Sequence, residues 1–276
     1  MKRAFVIGHP IKHSRSPLIH GTWIEAYGVD GSYEAIDVAP ADLPAFVQRL
    51  RDGEFAGGNV TIPHKEEVCR LVTRLDPAAE QIGAVNTLWI EGGEVCAGNT
   101  DAEGFAANLD IRAPGWRKAG SALVLGAGGA ARGVLFALKE AGIPAIRLVN
   151  RTRARAQELA DRFGAPVSVY DWSGLDELAA ASELVVNTSS LGMHGEGGVP
   201  FDIDRLPDKA IVADIVYVPL KTPLLAAAER RGLRVVDGLG MLLHQAVPGF
   251  ERWFGRRPHV TEELRALVVA DLEKHR

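Results

Sequence analysis

Residues 121–133 read SALVLGAGGAARG, and no other stretch of this chain restricts its fold as strongly. A short apolar run passes straight into a glycine-rich turn and then into helix-forming residues. Gly126, Gly128 and Ala131 fit G-x-G-x-x-A, the spacing that lets backbone N–H groups approach a pyrophosphate at a helix N-terminus. The expected contacts in the turn are Gly126, Ala127, Gly128, Gly129 and Ala130. For the motif alone, a glycine-rich turn without a ligand stays the alternative.

The rhythm continues downstream. AIRLVN, a helix from about Arg153 to Phe163, SELVVNTS, AIVADIVY and LRVVDG follow in order. Such short, β-branched, apolar runs are expected of strands buried on both faces, so this half reads as a doubly wound, Rossmann-type α/β domain. Asn187 and Thr188 then fall at the carboxyl edge of the sheet, where open α/β folds bind ligands; a plain polar loop is the other reading.

The end of the second strand of this half distinguishes between dinucleotides. An NAD site normally puts a carboxylate about 20 residues beyond the glycines, to bind the ribose 2′-hydroxyl. Here the residues are LVNRTRARA, with Asn150, Arg151, Thr152, Arg153 and Arg155 and no acid. Arginines at a helix start oppose the dipole unless an anion sits among them, and the 2′-phosphate of NADP suits guanidinium geometry. A solvated basic helix start is the alternative.

The first hundred residues are less regular. AFVIG and the stretch after Ser32 read as strands, while Ile19, Trp23, Ala26 and Tyr27, then Leu43, Phe46, Val47 and Leu50, form helical stripes. A mixed sheet covered by helices is expected. The tail TEELRALVVADLEKHR orders its charges as a helix prefers, with Thr261 as N-cap, Glu262 and Glu263 first, and Lys274, His275 and Arg276 last.

Against that order, Lys65 in NVTIPHKEEV is out of place. Val60 and Ile62 alternate like a strand end, Pro63 suits a first helical position, and Val68, Leu71 and Val72 continue a helix. Lys65 therefore sits in an opening turn, where a cation costs a few tenths to about 1 kcal/mol. A lysine kept there needs another reason.

Composition excludes several partners. Lys and Arg total 31 against 35 Asp and Glu, a net charge of −4, so no basic field exists for nucleic acid or an anionic membrane. The N-terminal apolar run is broken by Gly8, His9 and Pro10, too early for a signal peptide, and no run approaches a membrane span. Cys69 and Cys96 lack metal-ligand spacing, and Pro10 breaks any helix that would pair His9 with His13, so no metal site is expected. A cytoplasmic protein is expected, with a small-molecule ligand, and a homodimer stays open as the assembly.

The motifs GHPIKHSRSP, GGNVTIPHKE, GAVNTL, GNTDAEGF, GAGGAAR, NRT, NTSSLGM, DIVYVPLKTPLL and DGLGMLLHQA occur in that order between residues 8 and 246. Together they closely resemble the shikimate dehydrogenases. The resemblance implies reversible NADPH-dependent reduction of 3-dehydroshikimate to shikimate, in the pathway to aromatic amino acids. It also implies a substrate domain of residues 1–101 plus 239–276, an NADP-binding domain of 102–238, and a cleft between them.

By the same resemblance Lys65 and Asp101 are the catalytic pair. Ketone reduction needs a proton delivered to the developing alkoxide; Lys65 can supply it, and Asp101 would orient the ammonium and favour its charged form. From residue chemistry alone, Asp101 could equally be an acid in a helix's first turn. The family places Ser14 and Ser16 on the substrate carboxylate, although Ser16 before Pro17 also looks like an N-cap, a reason Ser14 lacks. Thr61, Asn86, Tyr217 and Gln245 complete the substrate set, Thr188 joins the cofactor set, and Ile215, Gly240 and Met241 match family positions around the nicotinamide. Gly98, Gly104, Gly238 and Gly240 are conjectured hinges. Two other readings stay open: a quinate/shikimate dehydrogenase of broader range, and a non-catalytic sensor of the same ligands.

Overall fold

Strand β1 (Lys2–Gly8) carries Ala4, Phe5, Val6 and Ile7 at no more than 2% exposure, so both its faces are covered. The structure, a computed structural model, describes residues 1–195 and 197–274. β1 pairs in parallel with β2 (Gly31–Asp37) on one side and β3 (Gly57–Val60) on the other. The sheet continues through β4 (Arg74–Leu75), β5 (Thr87–Glu91) and β6 (Glu94–Gly98) in the order β2-β1-β3-β5-β6-β4, with β5 antiparallel to both neighbours. This is the mixed sheet expected.

Four helices connect these strands: α1 (Ser16–Tyr27), α2 (Leu43–Arg51), α3 (Lys65–Leu71) and α4 (Pro77–Ile82). The α2 stripe of Leu43, Phe46, Val47 and Leu50 is buried against Phe5, Ile7, Val60 and Leu88. Pro63 lies in the turn before α3 rather than in the helix, so Lys65 itself is the first helical residue.

Beyond α5 (Asp101–Arg112) the architecture becomes uniform. Strands β7 (Ala122–Leu125), β8 (Ile146–Val149), β9 (Val167–Tyr170), β10 (Leu184–Asn187), β11 (Ile211–Asp214) and β12 (Arg234–Val236) lie in the order β12-β11-β10-β7-β8-β9. Every pairing is parallel. β7, β10 and β11 are buried along their whole length, which is why their sequences are continuous apolar runs rather than alternations. The crossover helices are α6 (Gly129–Glu140), α7 (Arg153–Phe163), α8 (Leu175–Ala180) and α9 (Pro223–Arg230). Strand order reverses between β7 and β10, the switch point at which such sheets bind ligands.

The chain closes with α10 (Leu239–His244), α11 (Ala246–Phe254) and α12 (Glu262–Lys274). Two compact units result, one of Met1–Thr100 with the chain from Leu243 on, the other of Asp101–Leu242. In the first, Trp253 of α11 donates from its indole to Leu88 O at 2.8 Å. Its ring lies over Gly57 so closely that a Cβ there would collide with it. Thr261 Oγ1 accepts the Leu264 N–H at 3.2 Å, the expected cap of α12; His275 and Arg276 lie outside the described residues.

Candidate functional site

In the second unit the glycine-rich turn joins β7 to α6. Gly126 has φ +106°, a conformation that favours glycine, and a Cβ on it would lie 2.9 Å from Ser189 N. Gly128 and Gly129 face open space instead, so their backbone is accessible. Gly128 caps α6 with no side-chain bond, and the first turn holds no acid. Its free N–H groups and the helix dipole therefore form an anion-receptive end.

The neighbouring strands fix this turn. Thr188, just past β10, donates its hydroxyl towards Leu125 O at 2.9 Å and Gly126 O at 3.1 Å, and its N–H to Leu125 O at 2.7 Å. Past β8, Asn150 Oδ1 accepts the Ala127 N–H at 3.1 Å, while its Nδ2 donates to Thr152 O at 2.8 Å. Asn150 thus shapes the turn from beneath.

Arg151, Arg153 and Arg155 are all exposed around the start of α7, which has no side-chain cap and no acid in its first turn. Arg153 pairs with Asp171 at 2.6 Å. Among the described residues neither Arg151 nor Arg155 has an ionic partner. Two uncommitted guanidiniums next to an uncapped helix start suit a phosphate better than a hydroxyl.

In the first unit, the turn after β3 positions Lys65. Thr61 N–H donates to Ile7 O at 2.9 Å, and Thr61 O accepts the His64 N–H at 2.9 Å. Gly8 allows this turn to sit against β1, because a Cβ there would lie 2.6 Å from Thr61 Cγ2. His64, 1% exposed, is anchored by its Nε2 at 2.7 Å from Val38 O. Lys65 O accepts the Val85 N–H at 2.8 Å, which ties α3 to the segment leading into Asn86.

Asn86 and Gln245 come together with Thr100. The Thr100 backbone N–H, which can only donate, points at one side-chain atom of Asn86 at 2.9 Å, so that atom is Oδ1. Nδ2 then faces Thr100 Oγ1 at 3.0 Å and Gln245 Oε1 at 3.4 Å. Thr100 Oγ1 is 2.7 Å from Gln245 O. The Thr87 hydroxyl also donates to Asn86 Oδ1, at 2.8 Å.

The serine pair is arranged differently from expectation. Arg15, not Ser16, is the N-cap of α1, and no side chain caps it. Ser14 Oγ accepts the Ser16 N–H at 3.3 Å, so the local structural role falls to Ser14. Ser16 is 7% exposed, and the Tyr33 hydroxyl donates to Asn59 Oδ1 at 2.6 Å. Burial pushes the Tyr33 phenol well above the ordinary tyrosine range. Arg15 turns to Asp271 at 2.8 Å.

Three family models match the sequence: "Shikimate dehydrogenase substrate binding domain" over residues 6–88, "Shikimate / quinate 5-dehydrogenase" over 114–193, and "Shikimate 5'-dehydrogenase C-terminal domain" over 238–263. A shikimate dehydrogenase (NADP(+)) of Mesorhizobium japonicum is 65% identical over 271 residues, covering 98% of this chain and 97% of that protein. The chain is a member of the shikimate dehydrogenase family. Its fold agrees with a Thermus thermophilus shikimate 5-dehydrogenase in complex with NADP(H) and shikimate, at TM-score 0.87 and 36% identity, covering 99% of this chain and all of that one. A Corynebacterium glutamicum quinate dehydrogenase in complex with NAD gives TM-score 0.90 at 32% identity, covering 98% and 99%.

Within this shikimate dehydrogenase chain, Lys65 belongs to the first unit, whereas Asp101, 7% exposed, opens the second as the first residue of α5. Ile215 and Tyr217 follow β11. Gly238 presses on Ile215 and Gly240 on the Asn108 amide, where a Cβ on either would collide; Gly98 is likewise closed by Asp76. Packing therefore accounts for three of the conjectured hinge glycines. Among the described residues, no cluster of three His, Cys, Asp or Glu could hold a metal.

Tyr33, Asn59, Thr100, Asp214 and Thr222 carry no role in the sequence reading. The available signal is polarity inside buried runs, as in GGNV and IVAD. Asp214 is the sharpest case: 2% exposed, it accepts three hydrogen bonds, and burial still pushes its carboxyl up to about 6.

Proposed function

We propose that this protein is an NADP-dependent shikimate dehydrogenase, interconverting 3-dehydroshikimate and shikimate in aromatic amino-acid biosynthesis. The first unit takes the substrate and the second the cofactor. The observation that carries the cofactor choice is the β8 exit, where Arg151 and Arg155 lack ionic partners among the described residues and no carboxylate stands in the NAD position. Support for the substrate comes from the relative of Mesorhizobium japonicum, whose match spans nearly the whole chain.

When bound, NADPH supplies hydride to the ketone carbon. The residues that would hold it are Gly126 to Ala130, Asn150, Arg151, Thr152, Arg155 and Thr188, with Ile215 and Gly240 at the nicotinamide. Lys65 protonates the oxygen as negative charge develops on it, and Asp101 orients the ammonium; a positioned acid is worth roughly 10²–10⁴ in rate. Ser14 and Ser16, with Tyr217, bind the ring carboxylate. Thr61, Asn86 and Gln245 take the ring hydroxyls. A site built on such bonds rejects analogues lacking a hydroxyl.

The test is a four-way assay of shikimate and quinate, each with NADP and NAD, followed by nicotinamide absorbance. Shikimate with NADP is expected to dominate. Quinate with NAD as the better pair would favour the broader enzyme, for which the structural likeness to a quinate dehydrogenase speaks. Turnover of neither, with binding kept, would favour a sensor. We place the protein in the cytoplasm, where Cys69 and Cys96, neither in a disulfide, would stay reduced; light scattering on the purified chain reads whether it is a homodimer.

A further inference from the structure

A carboxylate in the interior of a parallel sheet is expensive unless its charge is used or its lone pairs are filled. Asp214 sits at the end of β11, paired in register with Asn187 at the end of β10. Its Oδ1 accepts Asn187 Nδ2 at 2.9 Å and the Val216 N–H at 3.0 Å. Its Oδ2 accepts the Thr222 hydroxyl at 2.7 Å. Asn187 is 1% and Thr222 0% exposed, so the network lies inside the protein.

Each of these bonds reaches a loop of the proposed site. Because a carboxylate only accepts, Asn187 must turn Nδ2 towards it. Its Oδ1 is then left to take the Ser189 N–H at 3.1 Å and the Ser189 hydroxyl at 2.7 Å, and Ser189 Oγ takes the Leu191 N–H at 3.2 Å. That chain of bonds sets the path of residues 188–191, where Thr188 sits. The Val216 bond curls the chain immediately after β11 into an Asx-type turn and so aims Ile215 and Tyr217. Thr222 links the same carboxylate to the start of α9, since its Oγ1 also accepts the Leu225 N–H at 3.3 Å.

We propose that Asp214 is a positioning residue for the reaction, holding Thr188 through Asn187 and holding Ile215 and Tyr217 through Val216 and Thr222. The groups facing it here are neutral donors. Just past the adjacent β12, the corresponding carboxylate, Asp237, accepts the Leu239 N–H at 3.1 Å, and Lys221 beside Thr222 pairs outward with Glu229 at 2.6 Å. Only an acceptor without protons of its own satisfies all three donors together. Asparagine keeps two of them on its oxygen and alanine keeps none.

The inference rests on the proposed roles of Thr188, Ile215 and Tyr217. The experiment compares wild type, Asp214→Asn and Asp214→Ala by NADPH fluorescence titration, steady-state kinetics and thermal unfolding. Asp214→Ala is expected to raise the NADPH Kd and the shikimate KM each by about tenfold, and Asp214→Asn by about threefold, because small misplacements at a site are costly. A merely structural role would lower kcat through the folded fraction and leave Kd and KM at wild-type values; that result overturns the proposal. Asp214→Asn, which keeps the volume, carries the test where Asp214→Ala does not fold. Wild-type protein that neither binds NADPH nor oxidises shikimate would instead overturn the functional reading itself.

Discussion

Gly133 on α6 faces Asp101 at the start of α5 so closely that a Cβ on the glycine would lie 2.9 Å from the aspartate's own Cβ. The helix that begins at the glycine-rich turn thereby sets the position of the proposed catalytic carboxylate. Gly133→Ala should gain up to about 1 kcal/mol of helix propensity and lose about 1–3 kcal/mol to overpacking, a net loss of at most about 2–3 kcal/mol. Asp101 must move to make room. With folded protein at the assay temperature confirmed by thermal unfolding, a fall in kcat of about tenfold or more is expected; wild-type kcat would show that the approach does not constrain Asp101.

The backbone around Lys65 is anchored independently of its side chain. His64 is anchored to Val38 O and Lys65 O to Val85 N–H, so truncating the side chain leaves α3 in place. Lys65→Ala should lower kcat by about 10² or more while NADPH affinity stays near wild type. Single-turnover rates together with fluorescence titration separate the two quantities, and near-normal turnover would remove the lysine from the chemistry.

With Arg153 engaged by Asp171, the proposed 2′-phosphate contact falls to Arg151 and Arg155. Arg151→Ala should raise the KM for NADP by about tenfold or more, the worth of a charge-assisted bond, while the KM for NAD moves less than about twofold. Equal losses for both cofactors would assign Arg151 a role other than phosphate recognition.

The second sheet was legible because its strands are buried on both faces. ALVL, LVVN and IVAD have no alternation to misread, and α7 begins and ends where its stripe does. Local hydroxyl choices were not legible. Whether Ser14 or Ser16 meets the α1 start depends on where Arg15 goes, and Arg15 goes to Asp271, far along the chain. Asp214 hid for a related reason: its partners Asn187 and Thr222 lie 27 and 8 residues away, so only the folded sheet assembles them. The β5–β6 hairpin was a missed local signal, since Gly92 and Gly93, with φ +62° and +82°, are the residues a tight turn demands.

His20 is fully buried on α1, stacked on Tyr33 at 4.1 Å and surrounded by Trp23, Phe250 and Trp253. Neither ring nitrogen has a hydrogen-bond partner within the usual limits, and burial lowers its pKa to about 3. In the unfolded chain the same imidazole takes up a proton near 6.5. Between those values the unfolded state binds the proton and the native state does not, so stability falls as pH drops from about 6.5 towards 3, by up to about 5 kcal/mol. His20→Phe keeps the aromatic stack and removes that proton uptake. Urea unfolding at pH 7 and pH 4.5 should therefore show the variant losing less stability on acidification than wild type, by about 2–3 kcal/mol. Parallel losses in the two proteins would mean that the buried imidazole does not set the acid limit of the fold.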